Sequence, residues 1–260
     1  MEYRILGKTG LKVSVIGFGG IPVQRISKEE TLKVIKRSEE LGINFIDTAR
    51  GYGIKEEFIG EAIKGRREKW IIASKTMARD KETTRKEIDI SLTNLNTHYI
   101  DLYQFHNAET MSDYERILSK NGAYEALEEA KAEGKIRHTG ITSHSLDVLR
   151  IAVESGKFET IMYPYNIVET EGYELFRRAS ELNIGVIAMK PFAGGALRDK
   201  TIAMKFILEN KFITTAIPGM ASINEVQENS RAGSNFVPLT YKEREKALKE
   251  ANELGDVFSI

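Results

Sequence analysis

The sequence contains no cysteine. Disulfides, thiolate metal sites, cysteine-ligated iron–sulfur clusters and a cysteine nucleophile are therefore excluded, and chemistry has to come from oxygen, nitrogen or a borrowed cofactor. Net charge is also missing, because 38 Lys and Arg balance 38 Asp and Glu. Without an excess of either sign the chain lacks the broad field that draws proteins to nucleic acid or anionic membranes. A small-molecule partner is expected instead. Long apolar runs are absent: none approaches the roughly 18 residues of a membrane span. The opening from Met1 to Gly10 lacks the charged-then-apolar layout of a secretion signal, which points to a cytoplasmic protein. Glutamine is scarce beside abundant Glu and Lys, a balance that leans toward a thermophilic source.

With 260 residues, 41% of them hydrophobic, the chain can bury one large core, and residues 1–260 read as a single domain with no low-complexity linker. Short apolar β-prone runs begin near Val13, Asn44, Trp70, Tyr99, Ile136, Thr160, Gly185 and Ile213. Between them lie amphipathic stretches such as Ile88, Leu92 and Leu95, or Ala123, Leu127 and Ala130, whose spacing puts apolar groups on one helix face. Ser27 with Glu30, Ser222 with Glu225 and Thr240 with Glu243 mark helix starts as Ser/Thr-x-x-Glu capping patterns, and Gly42 and Gly134 mark helix stops. Regular strand–helix units of this kind predict an α/β fold, a closed parallel (β/α)8 barrel, rather than an open doubly wound sheet. Residues 4–12, with turns at Gly7 and Gly10, predict a β-hairpin ahead of the first barrel strand.

Barrel enzymes build their sites at the C-terminal ends of the strands, so polar residues that end apolar runs carry the information. Three runs do so, ending in Asp47 with Tyr52 in the following loop, in Lys75, and in His106. Singly, each has an ordinary structural role: a turn cap, a packed loop ring, a solvated strand end, a satisfied core histidine. Together they make chemical sense. A tyrosine, with an ordinary pKa of about 10, becomes a usable acid near neutrality when a buried cation stabilises its phenolate. Lys75 supplies such a cation, Asp47 the counter-charge that a buried ammonium requires, and His106 a neutral donor to hold a substrate oxygen.

The run from Asp47 to Gly53, followed by Lys75 and His106 at strand ends, resembles the aldo-keto reductase superfamily. The similarity also covers Gly17 to Gly20, Gly134 to His144, Lys190 to Gly195, and Ile217 to Ser222 leading to Glu228 and Asn229. It implies that NADPH, or less often NADH, lies across the barrel mouth and passes a hydride to an aldehyde or ketone, with Tyr52 protonating the nascent alkoxide. Asp47, Tyr52, Lys75 and His106 match the family's catalytic tetrad; no metal is implied.

By the same resemblance the cofactor contacts are Gly19, Gly20, Ile21, Asp47, Thr142, Ser143, Met162, Met189, Lys190, Pro191, Phe192, Gly194, Gly219, Met220, Ser222, Glu225, Glu228 and Asn229. Several depart from the family's usual residues. Thr142 and Ser143 replace the serine and asparagine that hold the carboxamide, and Met162 stands where a glutamine is common. Met189 replaces an aromatic that stacks on the nicotinamide, offering a polarizable surface instead. Lys190 reads equally as a pyrophosphate ligand and as a surface lysine. Relatives that grip a 2′-phosphate place Lys or Arg where Gly219 and Glu225 stand here. Glu225 has a structural explanation as the partner of Ser222, yet its charge also disfavours a phosphate. NADPH leads on resemblance, with NADH as the alternative.

Short segments at residues 107–113 and 192–200, and a chain end soon after the last helix, predict an open, permissive pocket with Tyr103, Phe105, Tyr165 and Phe192 as candidate walls. Trp70, at the far end of its strand, reads as structural. Two other readings compete with the reductase. One is a cofactor-binding sensor with little turnover. The other is a lyase or isomerase using Lys75 as a Schiff base, disfavoured because Asp47 and Tyr52 suit a charged, non-nucleophilic lysine.

Overall fold

In a computed structural model, which describes residues 1–53 and 55–258, the chain opens with an antiparallel hairpin of β1 (Tyr3–Ile5) and β2 (Lys12–Ser14). Gly7 turns it with φ 53° and lies so close to the Ile184–Gly185 backbone that a Cβ would meet Gly185 N at 2.3 Å. Only glycine satisfies both demands. Val13 belongs to this hairpin, paired with Arg4, and not to the first barrel strand, as its apolar run suggested. The barrel begins later, at β3.

Eight parallel strands follow in chain order: β3 (Phe18–Gly19), β4 (Phe45–Asp47), β5 (Ile71–Thr76), β6 (Ile100–Phe105), β7 (Ile136–Thr142), β8 (Thr160–Pro164), β9 (Gly185–Met189) and β10 (Thr215–Ala216). Bridges Ile16 to Ala216 and Gly19 to Gly219 close the sheet on itself. At that seam a Cβ on Gly19 would meet Pro218 O at 2.6 Å. The expected (β/α)8 barrel with its N-terminal hairpin is therefore present.

The helices are α1 (Lys28–Glu40), α2 (Lys55–Ile63), α3 (Lys81–Asn94), α4 (Met111–Leu118), α5 (Ala123–Ala132), α6 (Leu146–Glu154), α7 (Tyr173–Glu181), α8 (Lys200–Glu209), α9 (Ile223–Ser234) and α10 (Tyr241–Phe258). Helix α1 shows why they form. Ser27 and Glu30 close a reciprocal capping box, and Thr31, Val34, Ile35 and Ser38 recur at helical spacing on the buried face. Gly42 and Gly134 do end their helices, with φ 84° and 74°. Helix α4 is an addition within the β6–α5 connection, a segment read from sequence as a short loop. Among the described residues, no helix is long and apolar enough to cross a membrane.

The core has two layers. Leu6 and Val13 of the hairpin region join Phe45, Ala73, Leu102, Met162, Ile187 and Ile217 in a cluster inside the barrel. A much larger cluster fills the shell between strands and helices. Period-two alternation along each strand sorts side chains between the two layers. The hairpin thereby stops the N-terminal end of the barrel, leaving the other end for chemistry.

Candidate active site

Asp47 is the last residue of β4, Lys75 lies one residue before the end of β5, and His106 follows β6 directly. All three fall on the inward-facing positions of adjacent strands, in phase with Phe45, Ala73 and Leu102 of the barrel interior. Lys75 Nζ donates to Asp47 Oδ2 at 2.6 Å and to the Thr48 carbonyl at 2.9 Å. Tyr52 sits half-buried at the end of a single 3-10 turn, Arg50–Tyr52. Its ring lies 5.4 Å from Lys75 Nζ and 5.9 Å, edge to face, from the His106 ring. The fold brings the four expected residues together.

Burial is the largest influence on Asp47 and raises its pKa, offset in part by Lys75. For Lys75, burial opposes the charge, but Asp47 and Tyr52 outweigh it and the pKa stands above the ordinary value. Burial also raises the Tyr52 phenol; Lys75 pulls it down, Asp47 pushes it up, and the balance is upward. The expected net lowering of the phenol is thus not found, because burial, with Asp47 adding to it, outweighs the pull of Lys75. Tyr52 rests as a proton-carrying phenol. His106 is lowered to about 3, first by burial and then by Lys75 and Arg79, so its imidazole is neutral near pH 7.

Sequence reasoning missed three residues. Gln104 lies two positions before His106 on β6 and shares its inward face, paired in register with Lys75. Its fully buried amide lies close enough to Asp47 to favour the carboxylate, although neither Gln104 nor Asp47 Oδ1 has a well-aligned hydrogen bond among the described residues. The alternation Gln104, Phe105, His106 was the available signal. Arg79 donates to the carbonyls of His106 and Asn107, both at 2.8 Å, and fixes the backbone that carries the imidazole. Glu56, on α2, is buried beside the Tyr52 turn; a carboxylate inside a helical pattern gave no hint of it.

The candidate cofactor residues form an arc along the mouth. At the seam Gly19, Gly20 and Ile21 adjoin Gly219 and Met220, with Met220 N donating to Gly19 O at 3.4 Å. Thr142 pairs in register with Met162, and Pro164 with Met189. Thr142 and Ser143 are buried; Thr142 Oγ1 accepts from Asn107 N at 2.9 Å and Ser143 Oγ from Ser145 N at 2.8 Å. The Met162 side chain lies in the barrel interior, whereas Met189 is only partly covered. Lys190 is exposed and holds φ 54°, followed by Ala193 at 46°. Two non-glycine residues in this region mark a strained loop beside the site. Pro191, Phe192 and Asn229 are buried, Gly194, Ser222 and Glu228 exposed. Glu225 Oε2 accepts from Ala221 N, Ser222 N and Ser222 Oγ at 2.7, 3.1 and 3.3 Å.

Of the candidate pocket aromatics, Tyr103 and Phe105 face outward into the barrel–helix shell, where Tyr165, Phe192 and Trp70 also pack. Strand alternation sends Tyr103 and Phe105 away from the mouth, because Leu102, Gln104 and His106 occupy the inward phase. A charged cleft of about 820 Å³, walled by Arg198, Lys200, Arg231, Lys249 and neighbours, lies to one side between α8, α9 and α10. It includes Glu228 and none of the four tetrad residues.

A profile of the Aldo/keto reductase family matches residues 15–203. The chain belongs to the aldo/keto reductase family. This aldo-keto reductase is similar to L-galactose dehydrogenase of Arabidopsis thaliana, 28% identical across 92% of this chain and 90% of the relative. It is also similar to the uncharacterized oxidoreductase YqkF of Bacillus subtilis, 30% identical across 88% of this chain and 78% of the relative. Among solved structures, an aldo-keto reductase from Bacillus halodurans superposes with a TM-score of 0.84 at 29% identity, covering 96% of each chain. The chain is thus an oxidoreductase of the aldo-keto reductase type.

Proposed function

We propose that this aldo-keto reductase converts a small-molecule aldehyde or ketone to the alcohol, using NADPH or NADH, with Tyr52 as the proton donor. The supporting observation is the buried Lys75–Asp47 pair at 2.6 Å, set 5.4 Å from the Tyr52 ring. A charged lysine held this way serves a neighbouring phenol better than it serves Schiff-base chemistry.

The residues at the mouth fit an extended dinucleotide. Glycines pack the seam closely, where a Cβ on Gly20 would meet Asp47 O at 2.8 Å and one on Gly219 would meet Pro22 Cγ at 2.6 Å. Met189 offers an apolar face to the nicotinamide, Thr142 and Ser143 the carboxamide contacts, and Lys190 a cation for the pyrophosphate. Gly19, Ile21 and residues from Met220 to Asn229 complete the binding arc. When bound, the nicotinamide supplies the hydride.

The chain's own groups do the rest. Neutral His106 donates a hydrogen bond to the carbonyl oxygen and holds it in line with Tyr52. As the carbonyl carbon gains the hydride, Tyr52 O–H delivers its proton to that oxygen, leaving a phenolate. Lys75 stabilises the phenolate, Asp47 keeps Lys75 in place, and solvent returns the proton.

A specific observation favours NADH. Glu225 already occupies the amides at the start of α9, so an adenosine 2′-phosphate at that helix end meets a resident carboxylate.

Fluorescence titration with NADPH and with NADH, then addition of an aromatic aldehyde to the tighter complex, tests the assignment. Binding followed by cofactor oxidation supports it. Binding without oxidation across a panel of carbonyls turns the reading to a cofactor sensor, and failure to bind either nucleotide overturns it.

A further inference from the structure

Among the described residues, the barrel–helix shell holds buried carboxylates that the reduction scheme does not use, Asp101 and Glu56 among them. Glu56, near the start of α2, is fully buried. Its Oε1 accepts from Ser74 Oγ at 2.6 Å, while Oε2 accepts from Ser91 Oγ at 3.1 Å and from Arg50 Nη1 at 3.1 Å. Ser74 immediately precedes Lys75 on β5 and points outward where Lys75 points in. Arg50 opens the turn that ends in Tyr52, and the same Nη1 reaches the Gly53 carbonyl at 3.4 Å. One carboxylate therefore ties the loop on both sides of Tyr52 to the strand that carries Lys75.

Full burial of a charge is costly unless the geometry of its partners is good. Here the partners are two hydroxyls from two different elements and a guanidinium from the catalytic turn. The turn itself has no side-chain cap, and Gly51 and Gly53 beside Tyr52 give it little stiffness of its own. Arg50–Glu56 supplies the missing restraint.

We propose that Glu56 is a positioning residue for Tyr52: through Arg50 it fixes the distance of the phenol from Lys75, and with it the proton transfer. This rests on the reductase reading of the site. Glu56→Gln keeps the size and lets the amide accept from one serine hydroxyl and donate to the other, but removes the ion pair. A misplacement of the donor by about 1 Å lowers turnover by roughly a hundredfold at the upper end. The expected result is therefore a kcat lower by ten- to a hundredfold, with cofactor Kd unchanged. In a Tyr52→Phe background the same substitution has no further effect on turnover, because the group it positions is gone. Arg50→Gln, at a partly exposed site, reproduces the loss without touching the core, which guards against a folding defect in the first variant.

A second measurement is independent of turnover. In isotope-labelled, cofactor-free protein, the Tyr52 Cζ resonance, assigned by its disappearance in Tyr52→Phe, shifts in Glu56→Gln and in Arg50→Gln. An unchanged resonance, or loss of turnover that multiplies with that of Tyr52→Phe, overturns the proposal. A shifted resonance in a protein without carbonyl turnover upholds the positioning and rejects the reductase reading instead.

Discussion

Lys75 Nζ stands 2.6 Å from Asp47 Oδ2, and both side chains are buried at the inner rim of the barrel. Removing one partner leaves the other as an uncompensated buried charge. Lys75→Met should therefore destabilise the fold by about 3–5 kcal/mol, and Lys75→Met combined with Asp47→Leu should recover most of that loss. Urea denaturation of the three proteins measures it. A single variant as stable as the parent would show that the pair does not hold the site.

His106 carries a pH signature. Its pKa in the folded chain is lowered to about 3, against about 6.5 for an unperturbed histidine. Between those values the unfolded chain binds the extra proton. The neutral imidazole's contribution is thus intact above about pH 6.5 and is lost as pH falls toward 3, by at most about 1.4 kcal/mol per pH unit. His106→Gln removes this component, so unfolding midpoints between about pH 4 and 6 should fall less steeply in the variant than in the parent. Parallel slopes would contradict a neutral, buried imidazole.

The barrel interior sets a packing prediction. Leu102 is fully buried among Phe45, Ala73, Met162 and Ile187, so Leu102→Ala should cost about 2–5 kcal/mol. Ile90, on the exposed face of α3, should tolerate alanine within about 0.5 kcal/mol. Comparable losses at both positions would mean that the interior layer adds little to stability.

The proposed leaning toward NADH rests on Glu225. Its carboxylate satisfies Ala221 N and Ser222 N at the start of α9. Glu225→Gln keeps a hydrogen-bonding group there and removes the charge, and should move the ratio of NADPH to NADH affinity toward NADPH by about fivefold or more, a shift of roughly 1 kcal/mol. Fluorescence titration of parent and variant with each nucleotide checks it. An unchanged ratio would place any 2′-phosphate away from this carboxylate.

The barrel was legible because short apolar runs recur between amphipathic helical stretches, and several helix starts carry a recognisable cap. Ser27 with Glu30 and Ser222 with Glu225 form the boxes their spacing predicts. Val13 was misread because a half-buried hairpin strand and a barrel strand look alike over three residues. Tyr103 and Phe105 were harder, since aromatic character does not say which face of a strand is inside; the neighbouring His106 fixes that phase. Glu56 was invisible because its partners, Ser74, Ser91 and Arg50, meet only once α2, α3 and β5 pack. The upward balance at Tyr52 is likewise a product of three-dimensional burial, not of residue type.

The central claim is that Tyr52 delivers the proton. Single-turnover oxidation of the bound reduced nicotinamide by an aromatic aldehyde, followed by absorbance in parent and Tyr52→Phe, tests it most directly when nucleotide Kd is measured on the same samples. The account predicts a rate lower by about a hundredfold to ten-thousandfold in the variant, with Kd nearly unchanged. A variant that retains most of the parent's single-turnover rate would contradict it.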